Sequence, residues 1–282
     1  MSCASPETPP TLDTDQLIED IRILSSDEMQ GRLVGTEGNA MARAYIINRF
    51  EGMGLPAFRE SYAHEFSIER NNGDLVEGTN VIGIVEGKSD SMIVITAHYD
   101  HLGVRDSLIF NGADDNASGT SGLLAMADYF TQITPNHTLV FAALDAEEGG
   151  LNGARAFVRD SSLMEKVVLN INMDMISQND KNELYAVGTY HYPELKPILE
   201  TIDTGELSLL FGHDRPEDGN QDWTFSSDHG PFHQIGIPFI YFGVEDHEHY
   251  HRPTDTFETV PQDFYKKSVQ LILNAVFALD NH

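Results

Sequence analysis

Short, nearly continuous apolar runs alternate along this chain with longer stretches of helical apolar rhythm, and that alternation restricts the fold more than any other feature. The runs are Asn80-Val81-Ile82-Gly83-Ile84-Val85, Met92-Ile93-Val94-Ile95-Thr96-Ala97, Leu139-Val140-Phe141-Ala142-Ala143-Leu144, Val167-Val168-Leu169-Asn170-Ile171-Asn172 and Ile237-Pro238-Phe239-Ile240-Tyr241-Phe242. A strand apolar at nearly every position is covered on both faces, as in a mostly parallel sheet. The periodic stretches predict helices over Thr14 to Leu24, Gly38 to Gly52, Ala117 to Phe130, Ala154 to Arg159, Pro193 to Ile202 and Gln262 to Leu279. The expected fold is α/β, a single-domain three-layer α/β/α sandwich with a mostly parallel central sheet. A length of 282 residues would allow two domains, but open sheets of this size often form one unit. Residues 1–11 read as a flexible tail and 12–282 as the folded domain.

The residues that follow these runs carry the chemistry, because open α/β sheets bind ligands beyond the carboxyl ends of their strands. The second run enters His98-Tyr99-Asp100-His101, the third Asp145-Ala146-Glu147-Glu148-Gly149-Gly150 and the fourth Asp174. The last enters a loop with His247, His249 and His251, and Gly112-Ala113-Asp114-Asp115-Asn116 opens a predicted helix. Singly, each has a plainer explanation: a half-buried histidine at 98, an N-cap pair at 114 and 115, helix-entry charges at 147 and 148. Asp174 is harder to dismiss, since an unpaired carboxylate deep behind an apolar strand is costly and calls for a cation.

Imidazole and carboxylate are the usual non-thiolate ligands of zinc, and the lone cysteine, Cys3, offers no thiolate cluster. Two histidines with three or more carboxylates exceed what one tetrahedral ion takes. They suit two ions about 3.5–4 Å apart that share a carboxylate.

Taken in order, His98-Tyr99-Asp100, Gly112-Ala113-Asp114-Asp115-Asn116-Ala117-Ser118-Gly119, Asp145-Ala146-Glu147-Glu148, Asn172-Met173-Asp174-Met175 and Tyr250-His251-Arg252-Pro253-Thr254-Asp255-Thr256 resemble the motif series of the M28 family of zinc aminopeptidases. The opening Leu24-Ser25-Ser26-Asp27-Glu28-Met29-Gln30-Gly31-Arg32 is also similar to that of family members, so the resemblance covers almost the whole chain. It implies a zinc-exopeptidase-like fold and two Zn2+ ions per chain. In it His98 and Asp174 hold one ion, Glu148 and His251 the other, and Asp115 bridges them; its peptide bond to Asn116 is expected to be cis. His249 is the substitute for His251, because His247, His249 and His251 share one face of an extended chain.

The resemblance makes Glu147 the general base, free to move a proton while Glu148 stays bound to metal. Asp100, two residues beyond His98, is placed to accept the second imidazole N–H and fix the tautomer. Tyr250 matches a tyrosine that stabilises the oxyanion in some members. Ser227-Asp228-His229 resembles a segment near the site and reads equally well as structural. Trp223, Phe225, Phe232 and Phe242 are candidates for an apolar specificity pocket, or for core.

A formal charge of −28, from 45 acidic against 17 basic residues, argues against binding to nucleic acid or to anionic membranes. Ser2-Cys3-Ala4-Ser5-Pro6 looks like the start of a lipoprotein, so Cys3 is a possible lipid anchor or a free thiol on a loose tail, and an extracytoplasmic location is expected. The expected activity is removal of N-terminal residues from peptide substrates. Rival readings are a glutaminyl cyclase, a carboxypeptidase or dipeptidase using Arg105, Arg215 or Arg252, and a non-catalytic binding domain.

Overall fold

The computed structural model describes residues 11–70 and 73–282, so Cys3 and its neighbours lie outside the described residues. The chain opens with helices α1 (Thr14–Leu24) and α2 (Glu37–Gly52), followed by strands β1 (Ala63–Glu69), β2 (Leu75–Val85) and β3 (Met92–His98). A small hairpin, β4 (Gly103–Arg105) and β5 (Leu108–Phe110), precedes helix α3 (Gly119–Phe130) and strand β6 (Thr138–Leu144). Next come α4 (Asn152–Phe157), α5 (Ser161–Met164), β7 (Val167–Met173), β8 (Glu183–Val187), α6 (Lys196–Leu199) and β9 (Ser208–Phe211). Helix α7 (His229–Gln234), strand β10 (Phe239–Gly243) and helix α8 (Gln262–Asp280) complete the fold.

The main sheet has eight strands in the order β1-β2-β6-β3-β7-β10-β8-β9. Its centre, β6-β3-β7-β10, is parallel throughout, while β1 and β2 at one side and β8 at the other run antiparallel to their inner neighbours. Apolar residues on the central strands serve both faces. On β6, Leu139, Phe141 and Ala143 join the core under α1, α2, α3 and α8. Val140, Ala142 and Leu144 face the opposite core with Ala154, Phe157 and Phe232. The two-residue period of a strand divides one continuous apolar run between two cores.

Helix α1 illustrates how local sequence fixes an element. The Asp13 carboxylate accepts the N–H groups of Asp15 and Gln16, and Leu17, Ile21 and Leu24 bury one face. Elsewhere the structure departs from the expected boundaries. Helix α6 begins at Lys196 rather than Pro193, because Pro197 has no N–H to donate and is tolerated only in a first turn. Strand β10 starts at Phe239, after Pro238. Strands β1, β8 and β9 had no expected counterpart: β1 alternates exposed and half-buried residues, so it presents no continuous apolar run.

Candidate metal centre

The parallel centre of the sheet brings four strand ends to one edge. Thr96 on β3 pairs with Asn172 on β7, so His98 and Asp174, each two residues further, stand level on adjacent strands. On the other side His98 pairs with Leu144, which puts the Glu147-Glu148 turn beside it. The His98 Nε2 atom lies 3.2 Å from Asp174 Oδ1 and 3.3 Å from Asp115 Oδ1. The other oxygen of Asp115, Oδ2, lies 3.0 Å from Nε2 of His251, and that nitrogen is 3.4 Å from Oε2 of Glu148. Asp115 thus divides the cluster, one oxygen facing His98 and the other facing His251.

Asp115 is held there by its backbone. It lies in an irregular turn, Ala113–Ser118, that opens α3, and its peptide bond to Asn116 is cis. The Asp255 carboxylate accepts the N–H groups of Asp114 and Asp115 at 2.9 and 3.1 Å. The Asn116 side chain donates to Met173 O and accepts from Gly119 N, tying the turn to the end of β7. Gly112 precedes the turn at φ +56°, where a Cβ would fall 2.1 Å from Asp115 O and 2.5 Å from the His101 ring. Asp114 is a scaffold: its carboxylate accepts from Ser177 N and Oγ and meets His247 Nε2 at 3.0 Å.

Of the three loop histidines, only His251 faces Asp115 and Glu148. His247 is taken by Asp114, and His249 Nδ1 contacts Thr254 Oγ1 at 3.1 Å. For Asp100 the arrangement differs from the expected one. The nearer acceptor to His98 Nδ1 is the main-chain carbonyl of Asp100 at 3.1 Å, with Oδ1 at 3.6 Å. The carboxylate instead accepts the N–H groups of Glu147 at 2.9 Å and Glu148 at 3.4 Å. The Tyr250 ring stacks on His251 with centroids 3.9 Å apart.

Two buried titratable side chains, Arg32 and Asp228, support this edge. The Arg32 guanidinium is fully buried and donates to the carbonyls of Leu24, Tyr99, Asn111 and Gly112, so it clamps the loops that carry His98 and Asp115. Burial lowers its pKa to about 10, which leaves it charged at neutral pH. Asp228 is fully buried with neither oxygen hydrogen-bonded among the described residues, and burial pushes its carboxyl up to about 8, with Asp100 and Asp174 adding to the rise against His98.

The donor chemistry fits metal ions. His98, Glu147 and Asp174 form one group whose ligand-type atoms lie within 4.8 Å of one another, and His101, Asp115 and Glu148 form another. Burial raises the Glu147 carboxyl well above its usual range, reinforced by Asp174, Asp228 and Asp100 and opposed by His98. Glu148 is pushed up to about 8, by burial first and then by Asp115. Crowded, poorly solvated carboxylates of this kind are relieved by a cation.

Beside the cluster lies a cleft of about 680 Å³, lined by Asp115, Glu147, Glu148 and Asp174 together with Trp223, Tyr241, Tyr250, Glu245 and Asp246. Of the four aromatic candidates, Trp223 alone lines the cleft. Phe232 and Phe242 are fully buried core, and Phe225 is 53% exposed and does not line the cleft. None of the residues lining it is a lysine or arginine.

An α/β/α sandwich with histidines and carboxylates gathered at the carboxyl edge of its sheet is the class of fold found in zinc aminopeptidases. A zinc aminopeptidase from Bacillus subtilis superposes with a TM-score of 0.75 at 19% identity, covering 96% of both chains. The glutaminyl cyclase of Porphyromonas gingivalis superposes as well, with a TM-score of 0.76 at 16% identity over 95% of this chain and 98% of that one. The particular family follows from sequence: the model of peptidase family M28 matches residues 80–276, and the chain belongs to that family. Aminopeptidase YwaD of Bacillus subtilis is 32% identical over 217 residues, which make up 70% of this chain and 44% of YwaD, so the chain spans less than half of that relative's length.

Proposed function

We propose that this protein is a zinc-dependent aminopeptidase that holds two zinc ions. The observation that carries the reading is the division of Asp115: Oδ1 turns to His98, which also meets Asp174, and Oδ2 turns to His251, which also meets Glu148. His98 and Asp174 would hold one ion and Glu148 and His251 the other, with Asp115 shared between them. Zinc in such a site lowers the pKa of bound water to about 7 and polarises the scissile carbonyl.

The chain's own residues do the rest. Glu147 stands within reach of both His98 and Asp174, where its carboxylate can take a proton from the attacking water and deliver it to the leaving amine. Asp100 holds the Glu147 main chain by accepting its N–H, and Tyr250 stands over His251 at the cleft, where its hydroxyl can serve the developing oxyanion. Glu245 and Asp246 extend the acidic lining, which favours a substrate's charged amino terminus and disfavours a terminal carboxylate. Arg105, Arg215 and Arg252, the cations a carboxypeptidase reading would need, do not line the cleft.

Metal analysis of the purified protein tests the reading together with a panel of free, N-blocked and C-blocked peptides. Two zinc ions per chain and hydrolysis that needs a free amino terminus are the expected results. One ion with cyclisation of N-terminal glutamine would install the glutaminyl cyclase reading instead, and cleavage of N-blocked but not C-blocked peptides the carboxypeptidase reading. No helix among the described residues is long and apolar enough to cross a membrane. An extracytoplasmic location, with Cys3 as lipid anchor, rests on the Ser2-Cys3-Ala4 opening alone, and metabolic labelling with a radioactive fatty acid tests it.

A further inference from the structure

His101 stands in the second cluster without a role in the reading above. Its ring is fully buried, and Nδ1 lies 2.6 Å from Oε1 of Glu148, the oxygen that is not the one facing His251. The approach is close but is not aligned as a hydrogen bond: both ring nitrogens of His101 and Oε1 of Glu148 are buried without a hydrogen-bonding partner among the described residues. A small rotation of the Glu148 carboxylate aligns Nδ1–H with Oε1 and relieves these two atoms, each of which otherwise stays buried and unmet at a cost of about 1–3 kcal/mol. The loop before Asp115 leaves room for the ring: a Cβ at Gly112 would fall 2.5 Å from Cδ2 of His101 and 2.6 Å from Cγ. Nδ1 also lies 3.8 Å from Oδ2 of Asp115.

We propose that His101 is a positioning residue for the ion held by Glu148 and His251: it fixes Glu148 by Oε1 and so presents Oε2 to the metal. The inference rests on the two-zinc reading. A carboxylate on a flexible stem pivots about its terminal torsion unless one oxygen is held, and ordering it at each binding event weakens the site. His101 leaves the same strand end as His98, so one loop orders a ligand of the first ion directly and a ligand of the second through its neighbour.

The test is zinc affinity, measured by competition with a chromophoric chelator on the full chain, with folding checked by circular dichroism. His101→Leu is expected to keep the first ion and to bind the second about 10- to 100-fold more weakly. His101→Asn carries an amide nitrogen close to the position of Nδ1 and should restore most of that loss. His101→Gln places its nitrogen nearer Nε2 and should not. If the leucine variant fails to fold, the asparagine and glutamine pair decides the matter.

A second ion bound as tightly in His101→Leu or His101→Gln as in wild type overturns the proposal. So does equal weakening in the asparagine and glutamine variants, which would make the ring a packing element or a direct ligand. A wild-type chain that takes up no stoichiometric zinc removes the proposed function, and this inference with it. A two-zinc wild type with indifferent variants removes the inference alone.

Discussion

Asp100 and Glu147 are joined by a 2.9 Å hydrogen bond from the Glu147 backbone N–H to Oδ1 of Asp100. It ties the loop after β3 to the turn after β6. A neighbouring contact from Glu148 N at 3.4 Å uses the other oxygen, so one carboxylate orders two successive glutamates with different proposed tasks. Replacing it by Ala in Asp100→Ala leaves two N–H groups unmatched in a closed environment. Loss of about 10- to 100-fold in kcat/KM is expected, with weaker zinc binding, as measured by steady-state kinetics and metal titration.

Glu147 itself is separable from the metals. Glu147→Gln preserves size and removes proton uptake, so both ions should stay while turnover falls by about 10²- to 10⁴-fold. Zinc content and kcat on one preparation decide it, and near-normal kcat would move the base elsewhere.

Chelation is the direct test of the shared carboxylate. Removing zinc should abolish hydrolysis reversibly and lower the melting temperature, because ions that bind only the folded chain stabilise it by mass action. Asp115→Asn should act on both ions at once, whereas Asp174→Asn and His251→Asn should each weaken mainly one. Independent loss of a single ion in Asp115→Asn would show that Asp115 does not bridge.

Arg32 offers a prediction about stability. Its guanidinium satisfies four carbonyls inside the protein, and Arg32→Leu would strand them around a dry gap. A loss of about 3–5 kcal/mol in urea unfolding is expected. A loss below 1 kcal/mol would mean that water replaces the side chain.

Asp228 gives the pH dependence. Its carboxyl is raised from 3.8 to about 8 in the folded chain, so the folded state holds a proton that the unfolded state releases. Stability from that proton is complete below about pH 4 and is lost as pH rises through about 8. Asp228→Asn, neutral at every pH, escapes the loss. In chelated protein its advantage over wild type should grow from near zero at pH 4 to about 5 kcal/mol above pH 8, read from urea midpoints. A constant difference across that range would show that Asp228 titrates normally.

Much of the architecture was readable because strand periodicity and burial are linked. Five apolar runs became the sheet's four central strands and β2, and the residues closing the four central ones reached one edge, since parallel strands end together. Helix α6 shortened through a proline rule that reading by periodicity overlooked. Strands β1, β8 and β9 were missed because strands away from the sheet's centre need no continuous apolar run.

By itself the sequence determined which residue types arrive at the edge and in what order, for these depend on local pattern and chain direction. Only the tertiary structure decided which of His247, His249 and His251 turns to Asp115, that Asp100 spends its carboxylate on backbone N–H groups, and that Arg32, His101 and Asp228 are buried beside the site. Those outcomes depend on loop paths and on contacts between residues far apart in the chain. No local periodicity encodes them, because a loop's course is fixed by what it packs against.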